Sequence, residues 1–475
     1  MIRKRIAGIY GSVLVILWGM ATSPLFAQHG ETGEGSRAEA DTNTLAYKLR
    51  KGNFDAHFRL YYMTTLNEGT LTDYYAWAFG GGVRYETGSY KGFQLGVGGF
   101  FIWDLASSDL AKPDSLTGAK NRYEIGQFDM EDPENRNDLD RLEHFYIKYS
   151  HRNWQLTYGK QVIQSPFVNP QDGRMRPTGE DGLWGSWKPS EQWKMEGGWL
   201  RRISPRGTVR WFDVDESIGI YPTGSNVYGE KSQYKGNLES RGIGIAGLHF
   251  RPKKEIHLQL WDYYVDGIFN TVFFQGDLSV PVGQSGLQWI AGAQYTFQHP
   301  LAGGGNEDPH KAYFHPGDRA QVFGLRTGFR SGHRQMLLNA TRITADGRFL
   351  MPREWGREPF YTFIPRERNE GAGDVKAFSV NLNQAFPKTG IRTAINYGYY
   401  DMPNLKDARL NKYLFPSYHH FLLDLQYQFR GFMKGLNIQG IYVYKMDAGN
   451  THEDPKSIIH KVNMHHVNLI LNYIF

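Results

Sequence analysis

Arginine residues recur on one face of several alternating segments of the chain. Five of them occupy the polar parity of stretches in which nearly every second residue is apolar: Arg59, Arg326, Arg330, Arg392 and Arg430. Successive side chains of a β-strand point to opposite faces, so these arginines would lie together on the side away from the apolar one. Guanidinium groups stay charged and bind carboxylates bidentately. Such a row would therefore attract anions and let them pass from one arginine to the next. Alternatively, each arginine pairs with an acidic residue on a neighbouring strand and stiffens the wall.

A proline-containing segment is the second feature with chemical potential. Residues 163–181 contain three prolines, which limit flexibility, and both signs of charge, in Asp172, Arg174 and Arg176. We expect this segment to narrow any channel beside it, with those three residues at the constriction. A second segment, 345–374, is too apolar and proline-rich for a flexible exposed loop. It could fold onto itself or into the mouth of the fold, or form an external binding surface.

Enzymatic and metal-binding sites find little support. The pairs His419/His420 and His465/His466 lie on alternating segments, where adjacent side chains point to opposite faces and offer at most one ligand per side. The sequence has no cysteine, and no phosphate-binding glycine loop or nucleophile elbow occurs in a suitable context. We therefore expect no enzymatic activity, no cofactor and no metal.

These side chains must be positioned by β-strands, because apolar residues recur with a period of two along most of the chain. About eighteen candidate strands result, of which nine are clearest: 54–62, 75–85, 93–103, 287–297, 323–329, 391–399, 421–429, 436–444 and 467–475. The last alternates apolar and mostly polar residues up to the aromatic Phe475.

The gaps between the strands alternate in length. Gaps of about six residues or fewer, such as 88–92 and 331–333, take turns with long ones, such as 106–141 and 204–239. This pattern predicts an all-β fold, a transmembrane antiparallel β-barrel with short periplasmic turns and long extracellular loops. Trp and Tyr near the ends of the apolar stripes fit interfacial girdles, whereas a soluble β-sandwich would rarely show them so often. One connection, near 267–270, is short where a long loop is due, which suggests a misplaced boundary.

Composition agrees with this fold. The mean hydropathy is −0.53, yet aromatic residues make up 15% and glycine contributes 55 residues. This combination suits a barrel with an apolar outer face and a polar lumen. Residues 1–27 resemble a secretory signal peptide, 28–51 read as a polar lead-in, and 52–475 as the barrel. Without the three basic residues of the signal peptide, the net charge of +6 falls to +3, too small to indicate a nucleic-acid partner.

One strand and the loop after it resemble a known family. Tyr158-Gly159-Lys160-Gln161 runs into a loop with Asn169, Asp172, Arg174 and Pro177, which is similar to the strand end and inward-folded constriction loop of OprD-type outer-membrane porins. The resemblance implies a narrow, substrate-selective channel with an arginine-rich wall, and places Asp172 and Arg174 at its eyelet. The extended loops 204–239 and 345–374 depart from the family pattern.

The expected function is passive, partly selective diffusion of small hydrophilic solutes (amino acids, peptides or small carboxylates) across the outer membrane of a Gram-negative bacterium. Membrane lipid would surround the protein, and the barrel-assembly machinery would recognise Phe475. An oligosaccharide-selective or alginate-export-type channel is the main alternative, since Phe167, Trp184 and Trp355 could stack on sugars. A barrel enzyme or an adhesin is a more distant one. Neither the solute nor the oligomeric state follows from the sequence.

Overall fold

The computed structural model describes residues 44–171, 173–366, 368–449 and 451–475. The expected signal peptide, most of the lead-in and Asp172 lie outside the described residues.

In these described residues, eighteen strands form the fold. Their lengths suit strands that cross a bilayer at a tilt. Their bounds are β1 Asn53–Leu66, β2 Tyr74–Glu86, β3 Phe93–Ser107, β4 Arg141–His151, β5 Trp154–Gln161, β6 Gly179–Trp187, β7 Trp193–Ser204, β8 Ile243–Lys253, β9 Ile256–Val265, β10 Phe269–Val282, β11 Leu287–Pro300, β12 Ala320–Ser331, β13 Arg334–Ile343, β14 Lys376–Phe386, β15 Ile391–Asp401, β16 Tyr418–Gln428, β17 Leu436–Asp447 and β18 Met464–Ile474.

The strands close into one antiparallel ring. Each pairs with the next along the chain, and β1 pairs with β18, so that Tyr61 lies opposite Ile470. Closure leaves no strand edge with unpaired backbone groups. A two-residue ladder, Phe212–Asp213, adds to β7 within a loop and is not one of the eighteen. The expected antiparallel β-barrel is confirmed.

The two parities of the strands face different surroundings. Phe54, Leu325 and Phe329 belong to the apolar parity and are 64%, 63% and 50% exposed on the outer face. Tyr61 and Met63 belong to the other parity of β1 and are fully buried. These two inward-facing residues are buried because the loops fold into the barrel.

The connections alternate as expected, with one exception. Eight turns of two to seven residues join the strands on one side, called the turn side, and longer loops join most of them on the other, the loop side. On the loop side, β9 and β10 are joined by residues 266–268 alone, with Val265 opposite Phe269. The suspicion of a misplaced boundary there was wrong. Gly267 adopts φ +73°, a conformation that allows so tight a hairpin.

In residues 44–475, apart from the three positions left undescribed, helical structure is confined to short segments. These are α1 Leu45–Arg50, α2 Val214–Ser217 and α3 Pro455–Ile458, with 3₁₀ turns at Glu124–Gln127 and Gly431–Met433. Within the described part of the chain, no helix has the length and apolar character to cross a membrane.

Candidate functional site: an arginine-lined pocket between inward-folded loops

The loop between β5 and β6, residues 162–178, crosses the inside of the barrel. At one end Phe167 is fully buried and packs edge-on against Tyr263 of β9 and Phe273 of β10, with ring centroids 5.4 and 5.5 Å apart. At the other end Arg59 of β1 donates from Nη1 to the carbonyl oxygen of Arg174, at 2.5 Å. In a ring of eighteen strands, β1 and β10 lie opposite each other. A loop that contacts both must span the lumen.

The loop between β13 and β14, residues 344–375, follows the inner wall. Gln294 of β11 donates to the carbonyl oxygen of Pro359 at 2.9 Å, and Tyr400 of β15 donates to that of Thr362 at 2.6 Å. Lys445 of β17 donates to the carbonyl oxygen of Arg366 at 2.8 Å. From the sequence, this loop could fold onto itself, fold into the mouth of the barrel or form an external surface. The structure shows that it folds into the barrel.

The two loops are joined through backbone groups. Asn169 donates from Nδ2 to the carbonyl oxygen of Arg357 at 2.9 Å and accepts from the Arg357 amide at 3.0 Å. Gly356 lies so close to the carbonyl oxygen of Phe167 that an added Cβ would approach it to 2.0 Å. Only glycine allows this contact, so the two loops act as one packed unit.

Two further loops complete this unit. From the 205–242 loop, Arg206 donates to the carbonyl oxygen of Gln171 at 2.7 Å, and Ser217 accepts from the Trp355 indole at 2.8 Å. From the 108–140 loop, the 3₁₀ turn Glu124–Gln127 packs against β1, where Thr65 donates to the buried Glu124 carboxylate at 2.5 Å. Four separate segments thus converge inside the barrel.

A cavity of about 130 Å³ remains between these loops. Seven arginines line it, and we call it the arginine pocket: Arg122, Arg174, Arg206, Arg353, Arg357, Arg366 and Arg368. The other lining residues are Tyr123, Gly126, Met130, Gln171, Tyr221, Pro222, Phe363 and Pro365, so no carboxylate from the described residues faces the cavity.

Three of the seven, Arg174, Arg206 and Arg366, form a compact triad around Gly173. A Cβ added at Gly173 would lie 3.3 Å from Nη1 of both Arg206 and Arg366, so the missing side chain leaves room for two guanidinium groups. Burial, together with the charges of Arg366 and Arg206, lowers the pKa of Arg174 well below its ordinary value. The triad therefore concentrates positive charge that an anion would stabilise.

The hydrogen bonds of the triad go to neutral acceptors. Arg366 donates to the Tyr61 hydroxyl at 2.8 Å, to the Asn468 side-chain oxygen at 2.9 Å and to Nε2 of His466 at 3.0 Å. Arg174 donates to the carbonyl oxygen of Gly173 at 2.7 Å. Arg174 is 5% exposed, and its Nε has no hydrogen-bond partner among the described residues. These bonds orient the guanidinium groups without neutralising them.

The carboxylates of this region that the structure describes lie behind the pocket rather than in it. Glu370 pairs with Arg353 at 3.4 Å and with Lys412 at 3.3 Å. Burial raises the pKa of Glu124, although hydrogen bonds from Thr65 and Asn121 and the charge of Arg174 oppose this shift. The acidic groups of this region therefore stabilise the loop unit from outside the cavity.

The residues expected at the constriction have different surroundings. Arg174 lines the arginine pocket. Arg176 does not: it is 1% exposed, lies over the Phe100 ring at 5.9 Å and donates to the carbonyl oxygen of Leu139 at 2.5 Å. Asp172 lies outside the described residues. The alternation of a strand does not continue into a loop, so sequence position alone could not separate Arg174 from Arg176.

The five arginines expected on the wall are distributed along the barrel. Arg59 contacts the crossing loop, and Arg326 lies over the Tyr361 ring of the 344–375 loop at 3.9 Å. Arg330 and Arg392 line a separate cavity of about 430 Å³ near the turn 332–333. Arg430 differs from expectation: β16 ends at Gln428, so Arg430 lies at the turn-side rim and donates to the carbonyl oxygens of Pro387 and Lys388.

Two of the three aromatic residues considered for sugar stacking are not exposed to the lumen, because Phe167 and Trp355 are 0% and 1% exposed. Trp184 is half-buried and packs against the same apolar cluster. Among the described residues, no group of three or more histidine or acidic side chains is placed to hold a metal ion. His419 stacks on Tyr397 at the outer face, whereas its neighbour His420 is fully buried inside.

Six of the pocket arginines were not singled out from the sequence. All six are in loops, where no periodicity assigns a face, and four of them, Arg353, Arg357, Arg366 and Arg368, belong to the 344–375 loop. The available signal was the density of arginine in a segment too apolar to be solvated. An apolar loop that carries many arginines has to bury its apolar groups while keeping its charges in contact with water.

Comparison with known proteins assigns the sequence to a family. The family model described as outer membrane porin, OprD family, matches residues 42–302, more than half of the chain. No curated protein matches the sequence significantly.

Several crystal structures share the barrel. OccAB2 of Acinetobacter baumannii superimposes with a TM-score of 0.69 at 13% identity, covering 90% of this chain and 98% of that one. OccAB4 of the same organism gives 0.67 at 16% identity, with 89% and 97% covered. Pseudomonas aeruginosa OpdK, solved with vanillate, gives 0.65 at 14% identity, with 90% and 99% covered. At these identities the likeness concerns the fold, and the family assignment comes from the sequence model. The chain belongs to the OprD family of outer-membrane porins, which are substrate-specific, non-enzymatic channels.

Proposed function

We propose that this protein is a passive channel for small anionic solutes, with small carboxylates as the preferred class, and that the arginine pocket is its selective constriction. The observation that carries the proposal is the triad of Arg174, Arg206 and Arg366, whose hydrogen bonds to other described residues all go to neutral groups. Arginine is charged at any physiological pH and matches the geometry of carboxylate.

The arginines on the rest of the barrel wall also favour selectivity for anions. Arg59 and Arg326 border the loop unit, while Arg330 and Arg392 lie nearer the turns. A solute that leaves the pocket would meet further guanidinium groups before the turn side, in keeping with rings of charge as the usual basis of pore selectivity. OpdK was solved with vanillate, an aromatic carboxylate, so one related barrel accommodates a solute of this class.

An oligosaccharide channel is not favoured. Stacking on sugars needs aromatic faces that border the lumen, and the side chains of Phe167 and Trp355 are buried in an apolar cluster. Asp172 remains a candidate for the constriction on sequence grounds. Arg176 is buried behind the pocket, so Arg174 is the best supported of the three.

We also propose the outer membrane of a Gram-negative bacterium as the location, and recognition of Phe475 by the barrel-assembly machinery. Phe475 packs edge-on against Tyr473 at 4.5 Å and is 59% exposed, so its ring remains accessible at the end of the last strand. Its amide donates to the carbonyl oxygen of Ala56, which ties it to the first strand.

Liposome swelling tests the solute class. Proteoliposomes should admit small mono- and dicarboxylates faster than neutral sugars or basic amino acids of similar size. Protein-free liposomes of the same composition serve as the control. Equal rates for anionic and cationic solutes would contradict the proposal. Faster entry of a basic amino acid would show that the channel selects cations instead of anions.

A further inference from the structure

The turn side of the barrel carries an excess of positive charge. The eight turns and the segment 45–52 together contain ten basic residues and two acidic ones, Glu191 and Glu255. The basic residues are Lys48, Arg50, Lys51, Lys91, Arg152, Lys188, Lys254, Lys388, Arg430 and Lys434. The 108–140 loop on the opposite side has nine acidic residues and four basic ones. The positive charge is therefore a property of one end of the molecule.

Helix α1 lies at this end, against the outer face of the wall. The Tyr85 hydroxyl donates to the carbonyl oxygen of Leu49 at 2.6 Å and accepts from the Gly52 amide at 3.0 Å. Tyr85 belongs to the outward apolar parity of β2, as do the exposed Trp77 and Val83. The Gly88 amide also donates to the carbonyl oxygen of Lys48 at 2.9 Å. The helix is thus fixed beside the lipid-facing surface.

The exposed side chains of α1 have the composition of an interfacial segment. Leu45 and Leu49 are four residues apart, so they share one face of the helix, and they are 52% and 41% exposed. Phe93, at the start of β3 beyond the adjoining turn, is 50% exposed. Basic residues with apolar neighbours are the combination that places a helix at the boundary between headgroups and acyl chains.

We propose that this basic rim, with α1 as its most developed part, binds anionic phospholipid headgroups in the leaflet on the turn side. Leu45 and Leu49 insert among the acyl chains next to the apolar band. Lys48, Arg50, Lys51 and Lys91 extend their alkyl chains along the apolar surface and place their charges at the level of the phosphates.

The depth of α1 can be measured directly because the chain has no cysteine. A single-cysteine variant, Leu49→Cys, is labelled with an environment-sensitive fluorophore and reconstituted into vesicles that contain brominated lipid. The label should be strongly quenched. A matched variant, Leu116→Cys, labels a loop-side leucine that is 61% exposed and should be quenched little. Equal quenching at the two positions would overturn the proposal.

Lipid selectivity tests the charges. With spin-labelled lipids, the native protein should favour phosphatidylglycerol over phosphatidylcholine severalfold. The variant K48Q/R50Q/K51Q/K91Q should lose most of this preference. The control K112Q/K120Q/K231Q/K235Q removes the same number of charges from exposed loop-side lysines and should keep it.

Two outcomes would overturn the proposal: no preference in the native protein, or equal loss in the two variants. If the rim instead served an acidic periplasmic protein, the label at position 49 would stay unquenched in protein-free vesicles, which also contradicts a lipid site. Neither measurement depends on the solute that the channel carries.

Discussion

At the scale of single residues, the proposed selectivity depends on arginines whose hydrogen bonds go to neutral groups. The triad combines an amide, a hydroxyl and backbone carbonyls as acceptors, and these fix each guanidinium without cancelling its charge. Arg353 is different, because Glu370 lies 3.4 Å from it and offsets its charge. The contribution of an arginine to anion selectivity should therefore follow its partner rather than its distance from the cavity alone.

Arg366→Gln tests this relation. The side chain keeps its hydrogen-bonding ability but loses its charge, so the chloride-to-potassium permeability ratio should fall severalfold. The measurement is the reversal potential in a planar bilayer under a KCl gradient. Arg241→Gln is the matched control, because Arg241 is exposed and already paired with Asp266 at 2.8 Å. A ratio that changes equally in both variants would argue against the triad.

Arg176→Met tests whether an arginine buried behind the pocket contributes less to ion selectivity than Arg174, which lines the pocket. Arg176 lies behind the pocket, and methionine replaces its stem with an apolar side chain of similar length. The reversal potential should equal that of the native protein, whereas Arg174→Met should shift it towards cations. If the two variants shift it equally, the proposed boundary of the pocket is wrong.

At the scale of elements, the decisive feature is that loops rather than strands build the site. The alternation of Tyr61, Met63 and Thr65 with their outward neighbours could be deduced from sequence, because strand geometry fixes the period. The contact of Gly356 with Phe167 could not, since it joins loops nearly two hundred residues apart. Of the pocket arginines, only Arg174 was identified in advance, from the charges and prolines of segment 163–181 and from the family resemblance of the same segment.

Phe167→Ala tests how the crossing loop is anchored. Its ring is fully buried against Tyr263 and Phe273, so truncation should lower the free energy of unfolding by about 3–5 kcal/mol. Urea denaturation in detergent micelles measures this. The control is Phe432→Ala, at a turn residue that is 96% exposed and should have almost no effect. Equal small effects would mean that the loop is not anchored there.

Gly356→Ala tests the coupling between the two main loops. The new methyl group would approach the carbonyl oxygen of Phe167 to 2.0 Å and force the loops apart. Single-channel recordings should show a larger mean conductance and more frequent transitions between levels. Gly440→Ala introduces the same methyl group in β17, where the nearest atom is 3.8 Å away, and should leave the recordings unchanged. Unchanged recordings for Gly356→Ala as well would show that the loops are not tightly coupled.

At the scale of the whole molecule, the barrel followed from the sequence because one rule applies along the entire chain. Apolar residues must face lipid at every second position, and turns and loops must alternate between the two ends. Strands as distant as β1 and β18 then pair because a closed ring leaves no edge. The interior obeys no such repeating rule. Its contents depend on which loop side chains find partners, as Arg59 does with the backbone of Arg174.

The most direct test of anion selection by the arginine pocket is the reversal potential of the native protein and of the triple variant R174Q/R206Q/R366Q in the same KCl gradient. The native channel should prefer chloride, and the triple variant should lose this preference while retaining the heat-modifiable mobility of a folded barrel. A native channel that prefers potassium, or a folded triple variant with unchanged chloride preference, would contradict the account.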